Sequence, residues 1–424
     1  MKLAVVGAGW AGLAAAVAAT GAGHQVSVFE AARQLGGRAR ALEVDGPGGA
    51  RLRLDNGQHI LAGAYTQTLR LMREVGVDPR AALLALPLTL RFPDGTGLAL
   101  PRWPAPLDTA WGILRARGWS WRDKAALLRC AMGWRASGFT CAEQTTVAEL
   151  GAALTPRVRQ ELIDPLCVSA LNTPSERASG QVFLRVLRDA LFTPGEGGAS
   201  VAQLLLPRQN LGALFPDAAA AWLARHGAAV ALGRRVQSLA PRGPGWNVDG
   251  QAFDAVLLAC PAAEAARLAQ AACAAGGDWA RQAQSLRYEG IATVYARAGQ
   301  GLPAPLLALR SSTQAPAQFV FDRGQLGGPA GLLAFVVSAS SGERDALQAQ
   351  VVAQAQGLGW QVEPVLTVVE KRATFACTPG LRRPSARIAP GLLACGDYVD
   401  GPYPATLEGA VRSGLEAVAL LQPP

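Results

Sequence analysis

The residues nearest the start of this 424-residue chain that could do chemistry are glycines. Gly7, Gly9 and Gly12 stand in the spacing G-x-G-x-x-G. In that spacing the first glycine permits a tight turn, the second lets the backbone approach a pyrophosphate, and the third allows a helix to pack closely on a strand. A helix opening at Trp10 and Ala11 would turn its N–H groups and the positive end of its dipole toward the phosphates. Glu30 falls where the next strand should end, so its carboxylate could accept hydrogen bonds from a ribose. The pattern therefore predicts dinucleotide binding.

Six residues after Glu30 comes Gly36-Gly37-Arg38. Two glycines let the backbone pass close to a cofactor, and the arginine presents a fork of donors to a phosphate or a carboxylate. Its placement points to FAD rather than NAD; the other reading is an ordinary basic turn.

Elements that must position these residues follow from the pattern around them. Lys2 to Val6 reads as a short strand, Leu13 to Thr20 as an alanine-rich helix, and Gln25 to Glu30 as a second strand, which together make a βαβ unit. From about residue 81 the texture turns to Leu, Pro, Trp and Arg, read as a mostly helical segment to 214. Strand patterns return at Ala229–Leu232, Gln237–Leu239, Trp246–Val248 and Ala255–Cys260. Apolar runs at Ile291–Tyr295 and Leu332–Val337 suit a sheet lining a pocket. Gly391 to Asp397 reads as a buried strand and Ala405 to Leu421 as a closing helix. The expected architecture is α/β: a discontinuous Rossmann-type domain built from 1–80, 215–275 and 380–424, interleaved with an α+β substrate domain from 81–214 and 276–379.

The whole pattern resembles the flavin amine oxidase and phytoene desaturase superfamily. The resemblance rests on Gly7 to Gly12, Glu30, Gly36-Gly37-Arg38, Arg235 to Leu239 before Trp246 to Pro261, Gly396-Asp397, and Glu408 to Gly414. It implies FAD as cofactor, with Val236 meeting the adenine through its backbone and Asp397, after Gly396, reaching the ribityl-pyrophosphate region. The helix opened near Thr406 and Leu407 would point at the flavin. Asp55-Asn-Gly-Gln-His59 is similar to the squalene-associated FAD-dependent desaturases, a family of hydroxysqualene dehydroxylases of bacterial hopanoid biosynthesis. That likeness implies a long isoprenoid substrate and places Gly57, Gln58 and His59 beside the flavin. His59, with an ordinary pKa near 6.5, is then expected to protonate the departing hydroxyl while reduced flavin supplies hydride. A core histidine is the competing reading. Asp55 is expected either to orient that histidine or to serve a turn.

Bulk composition bounds the remaining possibilities. Half of the residues are hydrophobic and 17% are charged, below the roughly 25% usual for soluble domains. No apolar run of about 18 residues predicts a spanning helix, and the opening residues lack a signal-peptide pattern, so a cytoplasmic protein is expected. The net charge of +9 comes without basic runs or nucleic-acid motifs, which argues against a nucleic-acid partner. Trp103, Trp111, Trp119, Trp121 and Trp134 alternate with cations between Arg102 and Arg135, a texture that suits the inner-membrane surface; core and pocket packing of the tryptophans beside solvated arginines is the competing reading. The seven cysteines form no C-x-x-C pair, so reduced thiols are expected and no metal site. No second G-x-G-x-x-G marks a nicotinamide domain, and the electron donor stays open. Carotenoid desaturation, amine oxidation and prenyl-lipid carriage in the manner of the Rab GDP-dissociation inhibitors remain as alternatives.

Overall fold

The computed structural model describes residues 1–45, 51–103, 106–192 and 202–421. Its central sheet begins with β1 (Lys2–Val6), whose last four residues are buried. The chain then turns into α1 (Trp10–Gly21) and returns as β2 (Gln25–Glu30), parallel to β1. In space the six strands run Ala229–Leu232, β2, β1, Ala255–Leu258, Leu392–Ala394, Arg387–Ala389. All neighbours are parallel except the last pair. Ala255–Leu258 is buried along its whole length, as a strand covered on both faces must be.

The alanine-rich character of α1 has a packing cause. The closing helix, Leu407–Ala419, lies against it so closely that a Cβ on Gly414 would stand 2.3 Å from the Ala11 carbonyl oxygen. Small residues on both helices permit that approach.

Between residues 81 and 214 the helices include α2 (Leu107–Arg115) and α3 (Trp121–Ala136). Helices outnumber strands in this span, but short strands that the reading did not mark are also present. Leu83–Pro87 pairs antiparallel with Gln203–Pro207, which also pairs with Leu61–Ala62, and Thr89–Arg91 pairs with Gly97–Ala99. These strands are short and bounded by proline, and one partner lies more than a hundred residues away in sequence. A second correction concerns Gln237–Leu239. The strand begins at Leu239, because the N–H groups of Gln237 and Ser238 donate to the Asp249 carboxylate at 3.0 and 2.8 Å instead of to a ladder.

The second large sheet is antiparallel, in the order Leu306–Ala308, Phe319–Asp322, Leu332–Ser340, β3 (Tyr288–Ala298), Val362–Phe375. Along β3 the side chains alternate. Ala292, Val294 and Ala296 pack into a core with Leu347, Val351 and Ala355 of the helix Arg344–Gly357. Tyr295 and the partly buried Ile291 belong to the larger core on the opposite side, the face that carries Thr293.

Candidate functional site

Each glycine of the fingerprint has its own reason. Gly7 has φ +115°, and a Cβ there would lie 2.7 Å from the Ala259 carbonyl oxygen. On Gly12 a Cβ would lie 2.0 Å from the Gly7 oxygen. These two are demanded by the fold itself. Gly9 is different: its φ of −75° suits any residue, and a Cβ would meet only the Gly37 Cα at 3.9 Å. Its openness is what a close-approaching pyrophosphate needs.

Gly9 is the N-cap of α1, so Trp10 and Ala11 supply first-turn N–H groups that the helix cannot use itself. The Trp10 side chain points elsewhere: its indole N–H donates to the Ala39 carbonyl at 3.0 Å and its ring packs on Phe215. Trp10 can therefore serve a cofactor through its backbone only.

Glu30 closes the loop. Its carboxylate accepts the Ala8 N–H at 2.7 Å and the Ala32 N–H at 2.8 Å, holding the end of β2 against the glycine turn. Each oxygen keeps acceptor capacity for a ribose hydroxyl. Arg234 donates its N–H to the Glu30 carbonyl at 2.8 Å, which brings the chain leading to Val236 past the same edge. Val236 is buried, and its carbonyl accepts from Arg267 at 2.9 Å.

On the other side, Gly36 bonds the Ala8 carbonyl and Gly37 sits over Gly9, both with positive φ. Arg38 then pairs with Asp397 and donates to the Ala373 carbonyl at 2.7 Å. This pair joins the two ends of the chain. Ser413 accepts the Gly396 N–H at 3.1 Å, and a Cβ on Gly396 would run into the Tyr398 ring at 2.7 Å. Thr406 caps the closing helix by accepting the Gly409 N–H at 3.0 Å, with Leu407 in the first turn. Glu408, fully buried, accepts both N–H and hydroxyl of Thr68 and binds Arg412, tying that helix to Thr66–Glu74. Its tie to Thr68 is invisible in the sequence because the two lie 340 residues apart.

The segment Asp55–His59 lies against the second sheet, where the Tyr295 hydroxyl bonds the Asp55 carbonyl. Asn56 fastens it to the Arg38 loop, accepting from Arg40 N–H at 3.0 Å and donating to the Arg38 carbonyl at 2.6 Å. Gln58 accepts from Arg323 at 3.1 Å. His59 is oriented by its own turn: Nδ1–H donates to the Gly57 carbonyl at 2.8 Å, leaving Nε2 as the nitrogen that titrates. Burial lowers the His59 pKa, and the hydrogen bond to Gly57 restores only part of the loss.

Asp55 does not orient His59. Its carboxylate accepts the Leu211 N–H at 2.7 Å, and its carbonyl accepts from the Tyr295 hydroxyl at 3.0 Å. Burial pushes the Asp55 pKa up to about 6 against the opposing pull of that N–H, Arg323 and Arg53. Thr293, which no motif announced, reaches the same turn from β3; a Cβ on Gly57 would stand 3.8 Å from its hydroxyl and 3.6 Å from the His59 ring.

Away from these residues, α2 and α3 display an apolar surface. Trp103, Leu107, Trp111, Leu114, Trp121 and Met132 are exposed, with Leu107, Trp111 and Leu114 on one stripe of α2. Arg115 lies over the Trp111 ring and Lys124 over Trp121. The acids of these helices, Asp108 and Asp123, are buried. Trp119 is corrected from surface to core: its indole N–H donates to the buried Glu161 at 2.9 Å. Trp134 is partly buried. Among the described residues no helix is long and apolar enough to cross a membrane.

The fold is similar to an oxidoreductase from Methanosarcina mazei, at a TM-score of 0.72 and 16% identity over 99% of this chain and all of that one. In sequence the chain is 28% identical to the hydroxysqualene dehydroxylase of Rhodopseudomonas palustris, over 98% of this chain and 97% of the relative. It is 26% identical to that of Sinorhizobium fredii over the same shares. Zeta-carotene desaturase of Synechocystis is 41% identical, but over 20% of this chain and 16% of its own. Residues 10–422 match the flavin containing amine oxidoreductases, and with this cradle at its N-terminus the chain belongs to that family, as an oxidoreductase whose cofactor is FAD.

Proposed function

We propose that the protein converts hydroxysqualene to squalene by reductive dehydroxylation. The observation that carries this reading is the end-to-end likeness to enzymes of that name, where the carotene-desaturase likeness stops at a fifth of the chain. The glycine loops, Glu30, Arg38 and Asp397 fit FAD by leaving Gly9 and Gly37 uncovered and by offering first-turn N–H groups of α1. Bound and reduced, FAD supplies the hydride that replaces hydroxyl on carbon.

The remaining requirements fall to the chain. Breaking the C–O bond needs a proton so that the oxygen leaves as water, and in this reading His59, protonated at Nε2, gives it; the Nδ1 bond to Gly57, which leaves Nε2 free, supports that role. A lowered pKa makes that imidazolium a stronger acid while shrinking its population at neutral pH. Ile291 and Tyr295 on the same face of β3 supply an apolar wall that keeps water from competing.

The exposed stripe of α2 and α3 serves, in this reading, as the seat of the enzyme on the anionic cytoplasmic face of a membrane, from which a long isoprenoid enters. Exposed tryptophans with cations and inward-turned acids match such a surface.

The deciding experiment mixes anaerobically reduced holoenzyme with hydroxysqualene, following flavin absorbance and extracting products. Flavin reoxidation with one squalene formed per flavin is the expected result. Failure to reoxidise, with a carotene or an amine instead bleaching oxidised enzyme, would overturn it.

A further inference from the structure

Among the buried polar atoms of the described residues, the Thr293 hydroxyl is one of the few with no hydrogen-bond partner. Thr293 is 1% exposed in the middle of β3, flanked in register by Val336 and Val368, which have nothing to offer it. Valine would fill the same space without an unpaired hydroxyl, so the hydroxyl calls for a partner that comes and goes. Its direction is set by the alternation of β3. Two residues on, Tyr295 bonds the Asp55 carbonyl, and two residues along the facing loop lies Gly57. Because Gly57 has no side chain, a gap opens with the Thr293 hydroxyl on one side and the His59 ring on the other.

We propose that the Thr293 hydroxyl donates the hydrogen bond that holds the substrate's hydroxyl oxygen beside His59. The role rests on the dehydroxylase reading. Thr293 thereby selects an alcohol over the alkene product: hydroxysqualene offers the oxygen and squalene does not, so product loses this bond and is released. Gly57 contributes by absence, keeping room for the oxygen between the two side chains.

The test uses FAD-loaded, oxidised enzyme, which binds the alcohol without turning it over, and reads binding through the flavin absorbance. Thr293→Val should weaken hydroxysqualene binding by about tenfold, the usual effect of one lost hydrogen bond, and leave squalene binding unchanged. Thr293→Ser should restore it. Three results would overturn the role alone: unchanged alcohol binding in Thr293→Val, equal weakening of both ligands, or an altered flavin spectrum without ligand, which would make the cofactor the hydroxyl's partner. Wild-type holoenzyme that binds neither ligand would instead remove the substrate reading together with the role.

Discussion

The Tyr295 hydroxyl donates to the Asp55 carbonyl at 3.0 Å across 240 residues of sequence, and this bond fixes the second sheet against the loop that carries His59. Asp55 is held from its other end by the Leu211 N–H. The Asp55 bonds thus point to Leu211 and Tyr295, while the bond that orients the His59 ring runs to the Gly57 carbonyl.

Asp55 gives a stability prediction with a definite sign. Its pKa is raised to about 6 in the folded chain, so the native state holds a proton that the unfolded state has released. Stability therefore falls as pH rises from about 4 to about 6 and stays lower above that, by roughly 3 kcal/mol at 1.36 kcal/mol per pKa unit. Asp55→Asn keeps an acceptor for Leu211 and removes the charge. Urea unfolding of this variant should show a smaller loss of stability over that window than the wild type, by the Asp55 share, and a gain above pH 6; a profile identical to the wild type would refute the assignment.

Gly9 and Gly12 separate cofactor binding from folding. Gly12→Ala would drive a Cβ to 2.0 Å from the Gly7 oxygen and should yield insoluble or unfolded protein. Gly9→Ala has steric room and an ordinary φ, so it should fold with far-UV dichroism like the wild type, at a cost of about 1 kcal/mol as an N-cap change. It should nonetheless purify without yellow colour. Retained flavin in Gly9→Ala would mean that the pyrophosphate lies elsewhere.

The contrast between those glycines also marks what could be read from sequence. Gly12 and Glu30 act through Gly7, Ala8 and Ala32, all within about thirty residues, so their spacing carries their geometry. Thr293 acts through what it lacks, and a missing partner leaves no motif. Trp119 and Trp121 were indistinguishable by composition. Only the helix start at Ser120 separates them, sending one indole inward to Glu161 and the other out to solvent. The strands Leu83–Pro87 and Gln203–Pro207 were missed for the same kind of reason, since each is defined by a distant partner rather than by its own alternation.

His59 predicts the pH dependence of turnover. Its pKa is lowered by burial, so the imidazolium that donates the proton is depleted as pH rises through a value below the ordinary 6.5. With the flavin already reduced, kcat/KM should be greatest in mild acid and fall toward neutrality. His59→Gln should lose about a hundredfold or more in rate, as expected for a general acid, and become insensitive to pH in this range while retaining FAD. A variant that keeps the wild-type pH profile would assign the proton to another group.

The α2–α3 surface predicts salt-sensitive attachment to anionic vesicles. Arg115, Arg129 and Arg135 are exposed, and each cation close to an anionic surface contributes about 1 kcal/mol. Replacing the three by glutamine should weaken sedimentation with phosphatidylglycerol vesicles by roughly a hundredfold. Trp111→Ala with Trp121→Ala should weaken it through lost apolar contact, and that loss should persist in high salt where the electrostatic part is screened. Neither set touches the FAD cradle, so flavin content and turnover of substrate delivered in detergent should stay at wild-type levels. Undiminished sedimentation by both variants would show that the stripe is not the membrane seat.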